Sequence, residues 1–229
     1  MSTYQTLFFD VDDTLLDFGA TEQKALRALF QEIQFDLSTE AEERYRTINR
    51  ALWDSYEEGQ IGRDEVLNTR FSTFLKEYGR EEDGVALETK YRAYIANGHD
   101  LIEGAFELIA ELHEHFDLYI VTNGVSDTQY KRLTDSNLLP YFKDIFVSED
   151  TGFQKPMKEF FSYVFDRIPH FSPEQGLIIG DSLNADIKGG QLSNLDTCWF
   201  NPHRIENRSE IIPTYEIHAL SELKGILLK

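Results

Sequence analysis

Short runs of hydrophobic residues, each closed by a polar residue or a glycine, predict five strands along this chain. The predicted strands cover Thr6–Val11, Leu118–Thr122, Ile145–Ser148, Leu177–Gly180 and Thr197–Phe200. Continuous apolar runs of this length are typical of strands that are buried on both faces of a sheet. They imply a sheet in the interior of the protein, with other elements covering it.

Between these strands, hydrophobic residues recur at the three- and four-residue intervals that are typical of helices. Such patterns lie at Ala105–Leu112, around Tyr130 and Leu133, and at Phe160–Phe165. Strands that alternate with helices in this way usually form a parallel sheet with helices on both faces. We therefore predict an α/β core with a Rossmann-like, doubly wound parallel sheet.

The long interval between the first two strands breaks this alternation, since the 107 residues between Asp10 and Leu118 contain no convincing strand. Four amphipathic helices are predicted there instead, and Thr39 with Glu42 forms a possible capping box at the start of the second. The four apolar patterns run over residues 25–33, 41–56, 66–78 and 85–95. Four helices are too many for one crossover connection.

Residues 17–97 are therefore predicted to form an inserted all-helical cap domain, and residues 1–16 with 98–229 the α/β catalytic core. The insert leaves the core directly after the first strand. Ligands of open α/β sheets bind outside the carboxyl ends of the strands. A helical domain that begins there could cover the site, exclude water and select the substrate.

The charge of the chain limits its expected partners. Asp and Glu total 41 and Lys and Arg total 22, giving a formal charge of −19. Such a protein repels nucleic-acid backbones and anionic lipids, so neither nucleic acid nor a membrane is expected. Cys198 is the only cysteine, which excludes an intrachain disulfide and fits the reducing cytoplasm. Monomer and homodimer both remain open.

Polar residues follow four of the predicted strands at their carboxyl ends. Taken singly, each group is also typical of a turn or a helix cap. Because all four occur at the edge of the sheet where ligands bind, an active site explains them better than four unrelated turns. The candidate residues are Asp10 and Asp12; Thr122, Asn123 and Gly124; Lys155; and Asp181 and Asp186.

The run Asp10-Val11-Asp12-Asp13-Thr14 behind an apolar strand, with Gly180-Asp181-Ser182 and Asp186 near the end, resembles the haloacid dehalogenase (HAD) superfamily. This large group contains aspartate-nucleophile phosphatases and their relatives. The resemblance covers nearly the whole chain, and the helical insert matches the commonest cap of the family. It implies a phosphatase with magnesium as its cofactor and a small phosphorylated molecule as its substrate.

General chemistry assigns compatible roles to the first two aspartates. A carboxylate such as Asp10 can attack phosphorus and form an aspartyl phosphate, which splits one difficult step into two. Side chains alternate along a strand, so Asp12 can point to the same side as Asp10. Asp12 is then predicted to protonate the leaving group and later to deprotonate the attacking water.

The other candidate residues are predicted to hold the metal and the phosphoryl group. Asp10 and Asp181 offer carboxylate oxygens to magnesium and Asp12 its backbone carbonyl, while Asp186 could bind through water or hold Lys155. Thr122 can donate its hydroxyl to a phosphoryl oxygen, beside the N–H groups of a following helix. We also assign Asn123 and Gly124 to substrate binding, and Lys155 as a point charge for the phosphate.

A formal count of the predicted site gives four carboxylates, one lysine and one divalent metal ion, and so a charge of −1 before substrate binds. Such an excess of negative charge favours a proton on one carboxyl group. We expect Asp12 to carry this proton, as a general acid should.

Three further segments look like a subgroup of pyrimidine 5′-nucleotidases. They are residues 52–61, residues 148–156 and residues 197–204. The subgroup implies UMP, dUMP or dTMP as substrates, or non-canonical pyrimidine nucleotides in a house-cleaning role. Phe18, Trp53 and Tyr56 could stack on a base or belong to the helix core, so we assign no base-binding residue.

Other functions share part of this pattern. A haloacid dehalogenase uses the first-strand aspartate but has no aspartate two places on, so Asp12 disfavours it. A phosphatase of another small phosphometabolite, or a phosphosugar mutase of the β-phosphoglucomutase type, would carry the same core motifs. A non-catalytic binding protein on this fold also remains open, since a fold does not determine a function.

Overall fold

The computed structural model describes residues 4–228, which divide into two compact units. One unit comprises the residues up to Phe18 and those from His99 onward, and the other comprises Gly19–Gly98. Between residues 4 and 228, the first unit contains one sheet of six parallel strands in the order β3-β2-β1-β4-β5-β6. The strands are β1 (Thr6–Phe9), β2 (Asp117–Thr122), β3 (Asp144–Val147), β4 (Gly176–Gly180), β5 (Asp196–Phe200) and β6 (Tyr215–Ile217).

Helices cover both faces of this sheet, which confirms the predicted doubly wound α/β fold. The helices of this unit are α5 (Ala105–Leu112), α6 (Ser126–Asp135), α7 (Ser148–Thr151), α8 (Lys158–Phe165), α9 (Gly189–Leu192) and α10 (Leu223–Leu227). Alternate residues of β1 point to opposite faces. Leu7 and Phe9 pack in one core with Leu108 of α5, and Phe8 packs in the other with Phe161 of α8. Burial on both faces explains the continuous apolar runs.

Strand β1 lies in the middle of the sheet and is shorter than predicted. It ends at Phe9, because the chain turns at Val11, whose carbonyl accepts from the N–H groups of Leu15 and Leu16 over 2.9 Å each. The Asp10 N–H still donates to the Ile179 carbonyl of β4 over 3.0 Å. Asp10 is thus held at the very end of the β1–β4 ladder.

The strand order reverses at β1. The chain proceeds from β1 through β2 to β3 on one side, and from β4 through β5 to β6 on the other. Phe9 is in register with Ile120 of β2 and with Ile179 of β4. The residues that follow these three strands therefore emerge side by side, at the switch point where open α/β sheets bind ligands.

The second unit consists of four helices with an aromatic core. Tyr45 stacks on Phe71 with ring centroids 5.1 Å apart, and Phe30 contacts Phe74 at 5.4 Å. The second helix is capped by Ser38, whose hydroxyl accepts from the Ala41 N–H over 3.2 Å, so the predicted Thr39–Glu42 capping box is wrong. The helices are α1 (Phe18–Glu32), α2 (Thr39–Glu57), α3 (Arg63–Glu77) and α4 (Gly84–Ile95).

The two segments that lead out of and back into the first unit pair with each other. The Asp17 N–H donates to the Asp100 carbonyl and the Ile102 N–H to the Leu15 carbonyl, each over 2.9 Å. Along residues 4–228, no helix combines the length and the hydrophobicity needed to cross a membrane.

Candidate active site

A buried lysine joins two carboxylates at the carboxyl edge of the sheet. The Lys155 ammonium donates to Asp10 Oδ1 over 2.7 Å and to Asp186 Oδ1 over 2.6 Å. It also donates to the Val121 carbonyl over 2.7 Å. Lys155 is 1% exposed, and an ammonium has only three N–H groups to give. Lys155 therefore acts on the site through its charge, and a direct bond to a phosphoryl oxygen would require one acceptor to be released.

Asn123 places the backbone of Lys155. Its Nδ2 donates to the Lys155 carbonyl, and its Oδ1 accepts from the Lys155 N–H, both over 2.9 Å. Strand β2 thereby holds the loop that follows α7, and both polar groups of the Asn123 side chain are engaged. The structure gives Asn123 a clear positioning contact, while its predicted bond to substrate stays a prediction.

Asp186 lies in a π-helical turn, Leu183–Lys188, that follows β4. Its Oδ2 accepts from the Ser182 N–H over 3.0 Å, and its Oδ1 accepts from Lys155. A Cβ atom at Gly180 would lie 2.2 Å from Asp186 Oδ2, so only glycine leaves room for this carboxylate against the strand end. Of the two roles predicted for Asp186, holding Lys155 is the contact that the structure contains.

Asp181 completes a group of three carboxylates that could hold a metal ion. Asp10, Asp181 and Asp186 each offer an oxygen, and these oxygens lie within 4.8 Å of one another. The Trp199 indole N–H donates to the Asp181 carbonyl over 2.8 Å and so holds the loop after β4. A donor set made only of oxygens suits a hard cation such as magnesium. The residues present therefore fit the predicted cofactor.

Burial shifts the pKa values of this group. Burial raises the pKa of Asp10 to about 7, against the opposing charge of Lys155. Burial, followed by the charges of Asp10 and Asp186, raises the pKa of Asp181 well above its usual range. Burial lowers the pKa of Lys155, but its two carboxylate neighbours outweigh this and leave it above the usual value. Lys155 is thus a cation beside Asp10 and Asp181, the two carboxyl groups whose pKa values are raised.

Thr122 at the end of β2 has a hydroxyl oriented by two donors. Its Oγ1 accepts from the Gly124 N–H over 3.1 Å and from Gln129 Nε2 over 3.0 Å. Because these bonds use both lone pairs, the hydroxyl hydrogen is the part of Thr122 that can be given to a ligand. Of the helix N–H groups behind it, that of Ser126 is already engaged, since it donates to Glu149 Oε2 over 2.8 Å.

Asp12 is held by two residues that the sequence did not single out. Arg132 Nη1 donates to Asp12 Oδ1, and Gln129 Nε2 donates to Asp12 Oδ2 over 2.7 Å. Each carboxylate oxygen of Asp12 therefore has its own donor, and one of the two donors is a cation. The expectation that Asp12 carries the extra proton stays a prediction. Asp12 is predicted to bind the metal ion through its backbone carbonyl. Its side chain is not among the three carboxylates described above.

The sequence carried a weak signal for Arg132 and Gln129. They are three residues apart on α6, directly after the Thr122-Asn123-Gly124 motif, and so share one helix face. Both are buried, at 1% exposure each. Polar residues on a helix face beside a candidate motif could have been proposed as part of the site, but not with Asp12 as their partner.

A family model for haloacid dehalogenase-like hydrolases matches residues 7–200. The chain belongs to the haloacid dehalogenase-like hydrolase family. This HAD hydrolase is 65% identical to the HAD protein YfnB of Bacillus subtilis (strain 168) over 227 residues, 99% of this chain and 97% of YfnB. A crystal structure of YfnB bound to magnesium matches with a TM-score of 0.94, covering 98% of each chain.

Two further relatives are nucleotidases. The pyrimidine 5′-nucleotidase PynA of Streptococcus pneumoniae (strain ATCC BAA-255 / R6) is 41% identical over 227 residues, 99% of this chain and 96% of PynA. The pyrimidine 5′-nucleotidase YjjG of Escherichia coli (strain K12) is 30% identical over 223 residues, 97% of each chain. The predicted resemblance to the HAD superfamily and to its pyrimidine nucleotidases is confirmed.

The charge balance of the HAD hydrolase site differs from the balance expected from the sequence. Arg132 adds a second cation, so the four carboxylates and two basic side chains leave a formal charge of −2. A divalent cation would bring this charge to zero. The site contains Asp10, Asp12, Asp181 and Asp186 against Lys155 and Arg132.

Proposed function

We propose that this HAD hydrolase is a magnesium-dependent phosphomonoester hydrolase that acts through an aspartyl phosphate on Asp10. As substrates we propose pyrimidine nucleoside 5′-monophosphates such as UMP, dUMP and dTMP, or non-canonical analogues. The pyrimidine 5′-nucleotidases PynA and YjjG, at 41% and 30% identity over nearly the full chain, support this choice. The cytoplasmic location expected from the sequence belongs to the same proposal.

One observation carries the chemical part of the proposal. Asp10 lies in a group of three carboxylates beside a buried lysine, and Asp12 follows two residues later. The first arrangement supplies a nucleophile and a cation site, and the second supplies a group that can move a proton. A dehalogenase would not need the second carboxylate.

In the first step, a carboxylate oxygen of Asp10 attacks phosphorus and the bond from phosphorus to the nucleoside oxygen breaks. Asp12, in its protonated form, gives its proton to that leaving oxygen. In the second step, Asp12 takes a proton from water, the water oxygen attacks phosphorus, and the bond to Asp10 breaks. Inorganic phosphate leaves and both aspartates return to their starting forms. The Thr122 hydroxyl would donate to a phosphoryl oxygen in both steps.

Magnesium, when bound by Asp10, Asp181 and the Asp12 carbonyl with Asp186 nearby, would supply positive charge that neutralises the transferring phosphoryl group. Lys155 holds Asp10 and Asp186 in place and offsets part of their charge. The helices of residues 17–97 are proposed to select the leaving group, as a cap domain. A phosphatase of this type separates the two tasks, because phosphoryl transfer needs only the core residues.

A panel of phosphomonoesters tests the substrate. With magnesium present, we expect pyrimidine nucleoside monophosphates to give the highest kcat/KM, and excess EDTA to abolish phosphate release. Purine nucleotides, phosphoglycolate and sugar phosphates serve as comparisons. If one of these exceeds UMP, dUMP and dTMP by tenfold, the nucleotidase proposal is wrong while the phosphatase proposal stands. Conversion of glucose 1-phosphate to glucose 6-phosphate would identify a mutase instead.

Magnesium binding should depend on pH in a direction set by the carboxyl groups. The pKa of Asp10 is about 7 and that of Asp181 is raised well above its usual range, so protons and metal compete for the same oxygens. Affinity for Mg²⁺ should therefore rise with pH across about 6 to 8 and level off above. Calorimetry at pH 6.5 in two buffers of different ionisation enthalpy should show proton release. Equal apparent enthalpies in the two buffers would contradict this.

A further inference from the structure

Both oxygens of the Asp12 carboxylate accept hydrogen bonds from side chains of helix α6. One oxygen accepts from Arg132 Nη1 and the other accepts from Gln129 Nε2 over 2.7 Å. Each oxygen thus has its own donor, so rotation of the carboxylate about its last bond would break both contacts. Asp12 itself is partly exposed, with 30% of its side-chain surface accessible, while Arg132 retains 1%. The network fixes the inner side of a carboxylate whose outer side is open.

The orientation of the Gln129 amide follows from its three neighbours. Its Oε1 accepts from Arg132 Nη1 over 3.0 Å, and its Nε2 donates both to Asp12 Oδ2 and to Thr122 Oγ1. Reversing the amide would place its NH₂ group against the guanidinium and its carbonyl against the Asp12 carboxylate, so only one orientation is consistent. A single amide thereby links the acid–base candidate to the hydroxyl proposed to contact phosphate.

The two donors of the network are buried side chains. Arg132 and Gln129 are each 1% exposed, and the Arg132 guanidinium lies 5.5 Å from the centre of the Phe18 ring. Withdrawing a guanidinium from water is unfavourable, and this cost is offset only when its partners are well placed. A surface ion pair would have no such cost. A buried arginine whose ion-pair partner is the acid–base candidate points to a role in the site.

We propose that Arg132 and Gln129 are positioning residues for the proton transfers of Asp12, and that Gln129 also orients the Thr122 hydroxyl. This proposal rests on the proposed phosphatase function. Neither residue is required to touch the substrate. They keep the Asp12 carboxyl group at the distance and angle from which it reaches the leaving oxygen. Small errors in such placement reduce proton transfer strongly.

Substrates with different leaving groups distinguish positioning of Asp12 from general stabilisation of the fold. A nucleoside alkoxide is a strong base and needs a proton as it departs, whereas p-nitrophenolate leaves readily without one. Misplacing Asp12 should therefore slow hydrolysis of UMP much more than hydrolysis of p-nitrophenyl phosphate. The value of kcat/KM covers only the steps through release of the leaving group, so slow hydrolysis of the aspartyl phosphate does not obscure the comparison.

The experiment compares kcat/KM for UMP and for p-nitrophenyl phosphate in Arg132→Met and Gln129→Leu, with magnesium present. We expect the loss on UMP to exceed the loss on p-nitrophenyl phosphate by at least about tenfold, and Arg132→Lys to recover part of the difference. Both substrates are measured on one preparation, so a fraction of misfolded protein cancels from the ratio. Lys131→Met is the matched control, since Lys131 is the neighbouring cation on α6 and pairs with Asp135 at the surface.

If the wild-type protein hydrolyses both substrates and the variants lose kcat/KM equally on both, the positioning role is overturned and the phosphatase proposal stands. So would losses confined to p-nitrophenyl phosphate, or wild-type rates in both variants. Absence of hydrolysis of either substrate by the wild-type protein would instead refute the proposed function itself, and this inference with it.

Discussion

Asp10→Asn should reduce phosphate release on the order of 10⁴-fold or more while the protein remains folded. Removing the atom that attacks phosphorus removes the covalent route, and no other carboxylate is placed to replace it in the proposed mechanism. Asparagine has the size of aspartate and can still accept from Lys155 through its carbonyl oxygen. The measurement is phosphate release from UMP under single-turnover conditions. Residual activity near the wild-type rate would remove Asp10 as the nucleophile.

The same variant should be at least as stable as the wild type in EDTA at pH 8. Burial raises the pKa of Asp10 from 3.8 to about 7, so the folded protein binds this proton more tightly than the unfolded chain. The stabilisation from this group is full below pH 4 and is lost as the pH rises through about 7. Neutral asparagine avoids that loss. In thermal unfolding, the unfolding temperature of the variant relative to that of the wild type should be higher at pH 8 than at pH 5.

A matched control for this comparison is Asp36→Asn, a substitution at an exposed loop residue. It should change neither activity nor the pH dependence of the unfolding temperature. An Asp10→Asn protein that unfolds several degrees below wild type at pH 8 would show that the Asp10 charge is needed to balance Lys155, contrary to the direction of its pKa.

Lys155→Met should lower both activity and stability. Lys155 is 1% exposed and donates to Asp10 and Asp186, which would lose their shared cation. Removing one partner of a buried ion pair typically costs about 3–5 kcal/mol. We expect a loss of that order in urea unfolding, and a fall in kcat/KM on the order of 10³-fold because the nucleophile loses its orienting neighbour. Lys158→Met, at an exposed residue three positions on, should change stability by less than about 0.5 kcal/mol.

A double variant identifies the cause of the destabilisation. If uncompensated negative charge is responsible, adding Asp10→Asn to Lys155→Met should restore part of the stability that the single variant lost. Strictly additive effects of the two substitutions would mean that Lys155 stabilises the fold by filling space and not by its charge. Activity should stay absent in the double variant in either case.

The strands show which parts of the fold can be predicted from the local sequence. The apolar runs located β1 to β5 because both faces of these strands are buried. The predicted ends of β2 to β5 differ from the observed ends by at most one residue, and β1 ends two residues early because the chain turns at Val11. Strand β6 at Tyr215–Ile217 was missed. It has three residues, only Ile217 is fully buried, and it exists through its pairing with β5. An edge strand of this kind depends on its neighbour more than on its own sequence.

Some residues of the candidate site could also be predicted from the local sequence, and others could not. Asp10 and Asp181 directly follow a strand and Thr122 ends one. They could be proposed from the sequence because parallel strands bring their carboxyl ends to one edge. Arg132 and Gln129 were missed because they lie on a helix, where only the packing of α6 decides which buried group they meet. The contacts of Asn123 with the Lys155 backbone were not predicted, and its binding to substrate stays a prediction.

The sequence by itself determined the alternation of strands and helices in the core and the acidic residues at the strand ends. These features depend on residues close together in the chain. Only the tertiary structure decided which cation balances which carboxylate. Lys155 meets Asp10 across 145 positions, and Arg132 meets Asp12 across 120. Electrostatic partners are chosen by distance in space, and at such separations that distance is set by the packing of the whole domain.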